Sequence, residues 1–151
     1  MPRLLKHIDD IARRKQRDVL AVEFIASSDE CEGLRNCPDL GILRAPLDEN
    51  WEDNEARKII IKWLDENGIP HSPCGHFANE CLMMGYRGQI YLDVAYDKSD
   101  PLYQRIEVFL ENSDGSMKHE RMRFMCYTLE QCMKNAHHDE PGFWEKWAER
   151  F

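Results

Sequence analysis

The stretch Gly88-Gln-Ile-Tyr-Leu-Asp-Val-Ala-Tyr-Asp97 alternates between two sets of side chains with a period of two. This period is typical of a β-strand, because successive side chains of a strand point to opposite faces of the sheet. One set is predicted to face the core and the other to form a polar face: Ile90, Leu92, Val94 and Tyr96 against Gln89, Tyr91, Asp93 and Ala95. We therefore take this stretch as a central strand on which the other apolar stripes pack.

The rest of the chain divides into segments of strand-like and helix-like periodicity. Strand patterns cover residues 19–26, 69–78 and 119–127, and helix patterns cover residues 3–17, 53–67, 100–111, 128–136 and 139–151. Asp100 and Thr128 are predicted to cap the helices that follow them. Because of Pro70, Pro73 and Gly75, the 69–78 strand is predicted to be short, bent or at an edge, where a missing backbone donor does least harm. Residues 27–51 have no sustained period and are predicted to form a long loop with one short element near residues 40–43.

The order of these segments predicts the fold class. Between residues 19 and 127 it reads strand, helix, strand, strand, helix, strand, which is the order of a split βαβ fold. We expect an α+β protein with an antiparallel sheet of about four strands in this ferredoxin-like βαββαβ arrangement, with spatial order 4-1-3-2. A single domain is predicted over residues 1–151, with an N-terminal amphipathic helix (1–18), the βαββαβ core (19–127) and C-terminal helices (128–151).

One hydrophobic core is predicted between the sheet and its two crossover helices. Its members are the inward-facing residues of the strands and helices: Leu20, Val22, Phe24, Ile59, Trp63, Ile90, Leu92, Val94, Ile106 and Phe109.

The charges of the chain are divided unevenly. The net charge is −8, but Met1 to Arg17 contains six lysines and arginines against two aspartates, so this segment is +4 and the remainder −12. An acidic body repels nucleic acid and favours a basic protein partner. The basic N-terminal helix is expected to dock on its own acidic body, with a homo-oligomer as the further alternative.

The sequence also bears on location. It contains no apolar run near the roughly 18 residues that a spanning helix needs, so no membrane association is expected. The N-terminus lacks the pattern of a secretory signal, and the six cysteines are expected to stay reduced in the cytoplasm.

The densest set of metal-ligand side chains is His71-x2-Cys74-x-His76-x4-Cys81. Cysteine and histidine are zinc ligands, but this spacing matches no familiar zinc motif, and prolines and a glycine would have to bend the chain for all four to converge. A second hypothesis activates the Cys74 thiol through a neighbouring histidine. The remaining alternative is a bent edge strand with exposed histidines and no cofactor.

A polar face is predicted on the side of the sheet away from the crossover helices. A carboxylate pair beside arginine and tyrosine could perform acid–base chemistry, bind a partner, or form weak surface ion pairs. Its predicted members are Glu23, Tyr91, Asp93, Arg121, Arg123 and Tyr127.

The C-terminal region offers two further features. The run His137-His138-Asp139-Glu140 resembles a metal site only in composition, because consecutive side chains diverge, and we expect its acidic residues to cap the last helix. The aromatic stripe Phe143, Trp144, Trp147 and Phe151 is predicted to pack against the core.

These features favour a non-catalytic interaction or regulatory domain that docks on a basic protein partner. The alternative is a zinc-binding or thiol-dependent enzyme that uses the cysteine and histidine set at residues 71–81.

Overall fold

The structure is a computed structural model that describes residues 5–25, 48, 50–80 and 85–150. The helices and strands of these residues are α1 Ile8–Lys15, β1 Val19–Phe24, α2 Glu55–Glu66, β2 His71–Pro73, β3 Ile90–Leu92, α3 Pro101–Leu110, β4 Met122–Tyr127, α4 Leu129–Met133 and α5 Phe143–Ala148. Short 3₁₀ turns precede α2 at Trp51–Asp53 and α5 at Ala136–Asp139. The element predicted near residues 40–43 lies outside the described residues.

The four strands form one antiparallel sheet in the order β2-β3-β1-β4. In the central strand β1, Leu20 pairs with Leu92 of β3 on one side and with Cys126 of β4 on the other. β2, which contains Pro73, lies at an edge of the sheet as predicted. The α+β class and the four-stranded antiparallel sheet are confirmed. Within the described residues, no helix has both the length and the apolar character needed to cross a bilayer.

The first core lies between the sheet and helices α2 and α3. All the predicted core residues belong to this core except Ile59, which has 49% of its surface exposed. The buried stripe of α2 consists of Ala56, Ile60 and Leu64, spaced four residues apart. Because consecutive helical residues are rotated by about 100°, Ile59 lies beside this stripe and faces outward. The rings of Trp63 and Phe109 stack 4.1 Å apart and join α2 to α3.

The strand predicted over residues 88–97 is shorter in the structure. Gly88 precedes it with a φ of +85°, and a Cβ there would lie 2.8 Å from Cβ of Trp51, so this position requires glycine. After β3, the backbone N–H of Val94 donates to the carbonyl of Leu92, which turns the chain out of the ladder. Val94 stays in the core, but Tyr96 is exposed rather than buried as predicted.

The opposite face of the sheet is also buried, which corrects the prediction of a polar face there. Ile8 and Ala12 of α1 pack with Cys132 of α4 against Ala21 and Tyr91 of the sheet. Helix α1 is shorter than the predicted 3–17, but its apolar stripe docks on its own chain as the charge division predicted. The sheet is therefore covered on both sides, by α2 and α3 on one and by α1 and α4 on the other.

Capping residues set several helix boundaries as the sequence predicted. The Asp100 side chain accepts from the backbone N–H of Leu102 at the start of α3, and Thr128 forms a capping box with Gln131 at the start of α4. The last helix is different: α5 begins after Gly142, and no capping hydrogen bond is made by Asp139, whose carboxylate binds Arg13 instead. The predicted capping role of Asp139 is therefore wrong.

Candidate functional site

Glu80 accepts hydrogen bonds from two consecutive histidines. Its Oε1 lies 2.8 Å from Nε2 of His137 and 3.0 Å from Nε2 of His138. These hydrogen bonds hold the pKa of Glu80 below its usual range, so the carboxylate is ionised and each Nε2 carries the donated proton. The three ligand atoms lie within 4.8 Å of one another, and within the described part of the chain no other such group of three or more occurs. We call these three residues the Glu80 cluster.

The sequence did not predict the Glu80 cluster. His137 and His138 lie in the 3₁₀ turn before α5, and their rings approach to 4.4 Å between centroids. They converge because Glu80, far away in sequence, is placed between them by the fold. In the sequence, only the adjacent histidines pointed to a site here, and they did not indicate which carboxylate would join them.

Asp9 of α1 joins the two segments that carry the Glu80 cluster. Its carboxylate is fully buried and accepts from the backbone N–H of Ala78 at 3.0 Å and from the side chain of Asn135 at 3.1 Å. Asn135 also donates to the carbonyl of Ala78 at 3.1 Å. The chain just before Glu80 is thus held against the chain just before His137.

Arg13 neutralises Asp9 and fixes the same region from the other side. It donates from Nη1 to Asp9 at 2.9 Å, and from Nε and Nη2 to Asp139 at 2.8 and 2.9 Å. Burial lowers the pKa of Arg13, but the hydrogen bonds to Asp139 and Asp9 outweigh it and raise the pKa overall, so the guanidinium stays charged. Asp139 follows His138 directly, and this bidentate pair restrains the backbone of the histidine turn.

Aromatic residues of α5 form the apolar wall of the Glu80 cluster. The ring of His138 lies 4.7 Å from those of Phe143 and Trp144, and Nε1 of Trp147 donates to the carbonyl of Glu80 at 3.1 Å. None of the described residues of α5 is buried, so the aromatic stripe packs at the edge of the structure rather than in its core. Phe151 lies outside the described residues.

The predicted zinc set at residues 71–81 is placed only in part. His71 bonds through Nε2 to Asp65 at 2.8 Å, and His76 is buried with its Nδ1 2.7 Å from the carbonyl of Phe77. Cys74 is buried as well, whereas Cys81 lies outside the described residues. The four-ligand site therefore stays a prediction.

The thiol hypothesis finds no support in the described cysteines. Burial, with a smaller effect of Glu23, raises the pKa of Cys74 far above its usual value. Burial also raises the pKa of Cys126 to about 11 and that of Cys132 to about 12. These thiols stay protonated at neutral pH, and a thiol reacts as a nucleophile only when deprotonated.

Glu23, Arg123 and Tyr127, three of the predicted polar-face residues, form one hydrogen-bonded group. The carboxylate of Glu23 accepts from Arg123 at 2.6 Å and from the hydroxyl of Tyr127. Burial and the neighbouring carboxylate raise the pKa of Tyr127, so its hydroxyl remains a donor. Glu23 and Tyr127 are each only 1% exposed, so a partner could contact them only if the parts of the chain that cover them moved.

The other predicted polar-face residues belong to two separate ion pairs. The Tyr91 hydroxyl donates to Asp93 at 2.9 Å, and Asp93 also accepts from Arg17 at 2.8 Å. Arg121 donates to the buried Asp48 at 2.7 Å. The six predicted residues therefore do not form one exposed surface, and their role in binding a partner stays a prediction.

The chain matches no protein-family model, no curated protein and no solved structure. Its function is therefore inferred from the geometry of its side chains.

Proposed function

We propose that this protein is a non-catalytic interaction or regulatory domain that docks a basic protein segment on the outer face of helices α2 and α3. Two aliphatic side chains on this face are exposed, Ile59 on α2 by 49% and Val108 on α3 by 66%. Residues 50–67 and 95–118, which contain the two helices, carry ten carboxylates against six lysines and arginines. This combination of exposed aliphatic anchors with surplus negative charge is the observation that carries the proposal.

The two helices offer a continuous surface. Trp63 stacks on Phe109, and Arg105 donates to Asn67, so α2 and α3 run antiparallel side by side. Ile59 lies one helical turn from Trp63, and Val108 is adjacent to Phe109 in sequence. Both exposed anchors therefore border the same ring stack.

The basic N-terminal helix does not neutralise this face. Arg13 of α1 binds carboxylates on the opposite side of the sheet, and Lys15 and Arg17 pair with Asp93. The surplus carboxylates around α2 and α3 thus remain available to a partner. A second copy of the chain presents the same charges, and repulsion of like charges disfavours self-association through this face.

The split βαβ topology, with its ferredoxin-like order of elements, is part of the proposal. It is supported by the order of elements from β1 to β4 and by a common position for α2 and α3 on one face of the sheet.

A cytoplasmic location is proposed as well, and the free thiols of Cys74, Cys126 and Cys132 support a reducing compartment.

The proposal is tested by titrating the protein with a synthetic helical peptide of leucine and lysine at increasing salt concentrations. We expect binding that weakens as salt rises, because screening reduces attraction between exposed charges. Ile59→Glu and Val108→Glu should each lower the affinity about tenfold, because they put a charge in place of an apolar anchor.

Met133→Glu is the matched control, since Met133 is 46% exposed on α4, on the other side of the sheet. Its affinity for the peptide should equal that of the unchanged protein. The proposal is wrong if the unchanged protein does not bind the peptide. It is also wrong if Ile59→Glu, Val108→Glu and Met133→Glu all weaken binding equally. A dimer that Val108→Glu dissociates would assign the face to a second copy of the chain instead.

A further inference from the structure

We propose that the Glu80 cluster binds a divalent transition-metal ion of the zinc class. The ligands would be Nε2 of His137, Nε2 of His138 and a carboxylate oxygen of Glu80. Imidazole nitrogen and carboxylate oxygen are zinc ligands, and two histidines make the set unlike the all-oxygen sites of calcium and magnesium. This inference is independent of the proposed docking face, which lies on the opposite side of the sheet.

The distances within the cluster suit an ion of this size. Ligands bound tetrahedrally to zinc at about 2.0–2.1 Å lie about 3.3 Å apart. The carboxylate oxygen of Glu80 is now 2.8 and 3.0 Å from the two Nε2 atoms, and all three ligand atoms lie within 4.8 Å of one another. Outward shifts of about half an ångström in the first two distances, and an inward shift of at most about 1.5 Å in the third, would give the spacing of a zinc site. Coordination through Nε2 requires the tautomer that carries its proton on Nδ1, so on binding each neutral imidazole exchanges its Nε2 proton for one on Nδ1, with no net release.

The cluster is held in a fixed arrangement before any ion binds. The side chain of His138 is only 2% exposed and lies against Phe143 and Trp144. Nδ1 of His138 is buried and has no hydrogen-bond partner among the described residues. The polar contact of this imidazole is therefore made by Nε2, which is directed at Glu80. Asp9 and Asn135 fix the two backbone segments relative to each other.

The cluster is also accessible from solvent. The side chains of Glu80 and His137 are 40% and 46% exposed, which gives an ion a path of entry. Three protein ligands leave a fourth position of a tetrahedral ion for water.

The test is a titration of chelator-treated protein with Zn²⁺ in competition with a chromophoric chelator. We expect one equivalent to bind at the Glu80 cluster, and Glu80→Gln and His137→Gln each to weaken that binding by at least about tenfold. Both side chains are partly exposed, so the variants should fold, and their circular dichroism and thermal unfolding check this. His71→Gln separates this site from the cysteine and histidine set at residues 71–81: zinc held by the Glu80 cluster keeps its affinity in this variant, whereas zinc held through His71, which now contacts Asp65, loses it.

Titration with Co²⁺ separates this site from a cysteine site. Nitrogen and oxygen ligands should give visible bands without the ultraviolet charge-transfer band of a thiolate ligand, and Co²⁺ should quench the nearby Trp144. The proposal is overturned if no stoichiometric ion binds, or if Glu80→Gln and His137→Gln leave the affinity unchanged. A charge-transfer band that disappears in Cys74→Ser would move the site to the cysteine and histidine set at residues 71–81.

Discussion

At the scale of single residues, Asp9 and Arg13 hold together parts of the chain that are far apart in sequence. The Asp9 carboxylate is fully buried and bonds to Arg13, Ala78 and Asn135. We expect Arg13→Met to lower the free energy of unfolding by about 3–5 kcal/mol, because it leaves the charge of Asp9 buried without its counter-ion. Chemical denaturation measures this change.

Arg14 supplies the control for that substitution. It pairs with Asp10 at 3.5 Å on the same helix, but its side chain is exposed. Exposed pairs contribute about 0–1 kcal/mol, so Arg14→Met should change stability by no more than that. Equal losses in the two variants would contradict the role given to Arg13.

The sequence predicted residue roles well where the interaction is local. Asp100 and Thr128 were recognised as caps because a cap contacts a backbone N–H only two or three residues ahead. Asp139 was misassigned because its partner, Arg13, lies at the other end of the chain. The Glu80 cluster was not predicted for the same reason, because its carboxylate comes from a residue far in sequence from the two histidines.

At the scale of elements, substitutions in β3 and α2 test which residues form the core between the sheet and helices α2 and α3. Leu92 is fully buried in this short strand, whereas Ile59 of α2 is half exposed. Leu92→Ala should cost about 2–5 kcal/mol of stability, since it removes a buried side chain and leaves a cavity. Ile59→Ala should cost less than about 1 kcal/mol, because about half of the Ile59 surface stays in water in the folded protein. Denaturation midpoints of the two variants decide this, and similar losses would contradict the assignment of Ile59 to the surface.

The elements were predicted in type more reliably than in extent. The alternation at residues 88–97 located a central strand, but the ladder ends at Leu92, where the chain turns, and alternation alone carries no signal for that turn. The pattern also could not show that Tyr91, on the supposed polar face, is covered by α1. A tyrosine has an apolar ring and a polar hydroxyl, so it is compatible with either face.

At the scale of the whole molecule, the two coverings of the sheet differ in charge. On the α1 side, arginines and lysines are paired with Asp9 of the same helix and with Asp93 and Asp139 of the body. On the α2 and α3 side, carboxylates exceed cations around Ile59 and Val108. Arg13, one of the basic residues of the N-terminal helix, is buried, and the expectation that the protein does not bind nucleic acid stays a prediction.

The location of the docking face is the central claim, and mapping of backbone amide chemical shifts tests it most directly. The protein, labelled with ¹⁵N, is titrated with the helical peptide of leucine and lysine, and the perturbed amides are placed on the structure. We predict shifts concentrated in α2 and α3, around Ile59, Trp63, Val108 and Phe109, with α1 and α5 unchanged. Shifts concentrated in α1 and α5, with α2 and α3 unchanged, would contradict the proposed function.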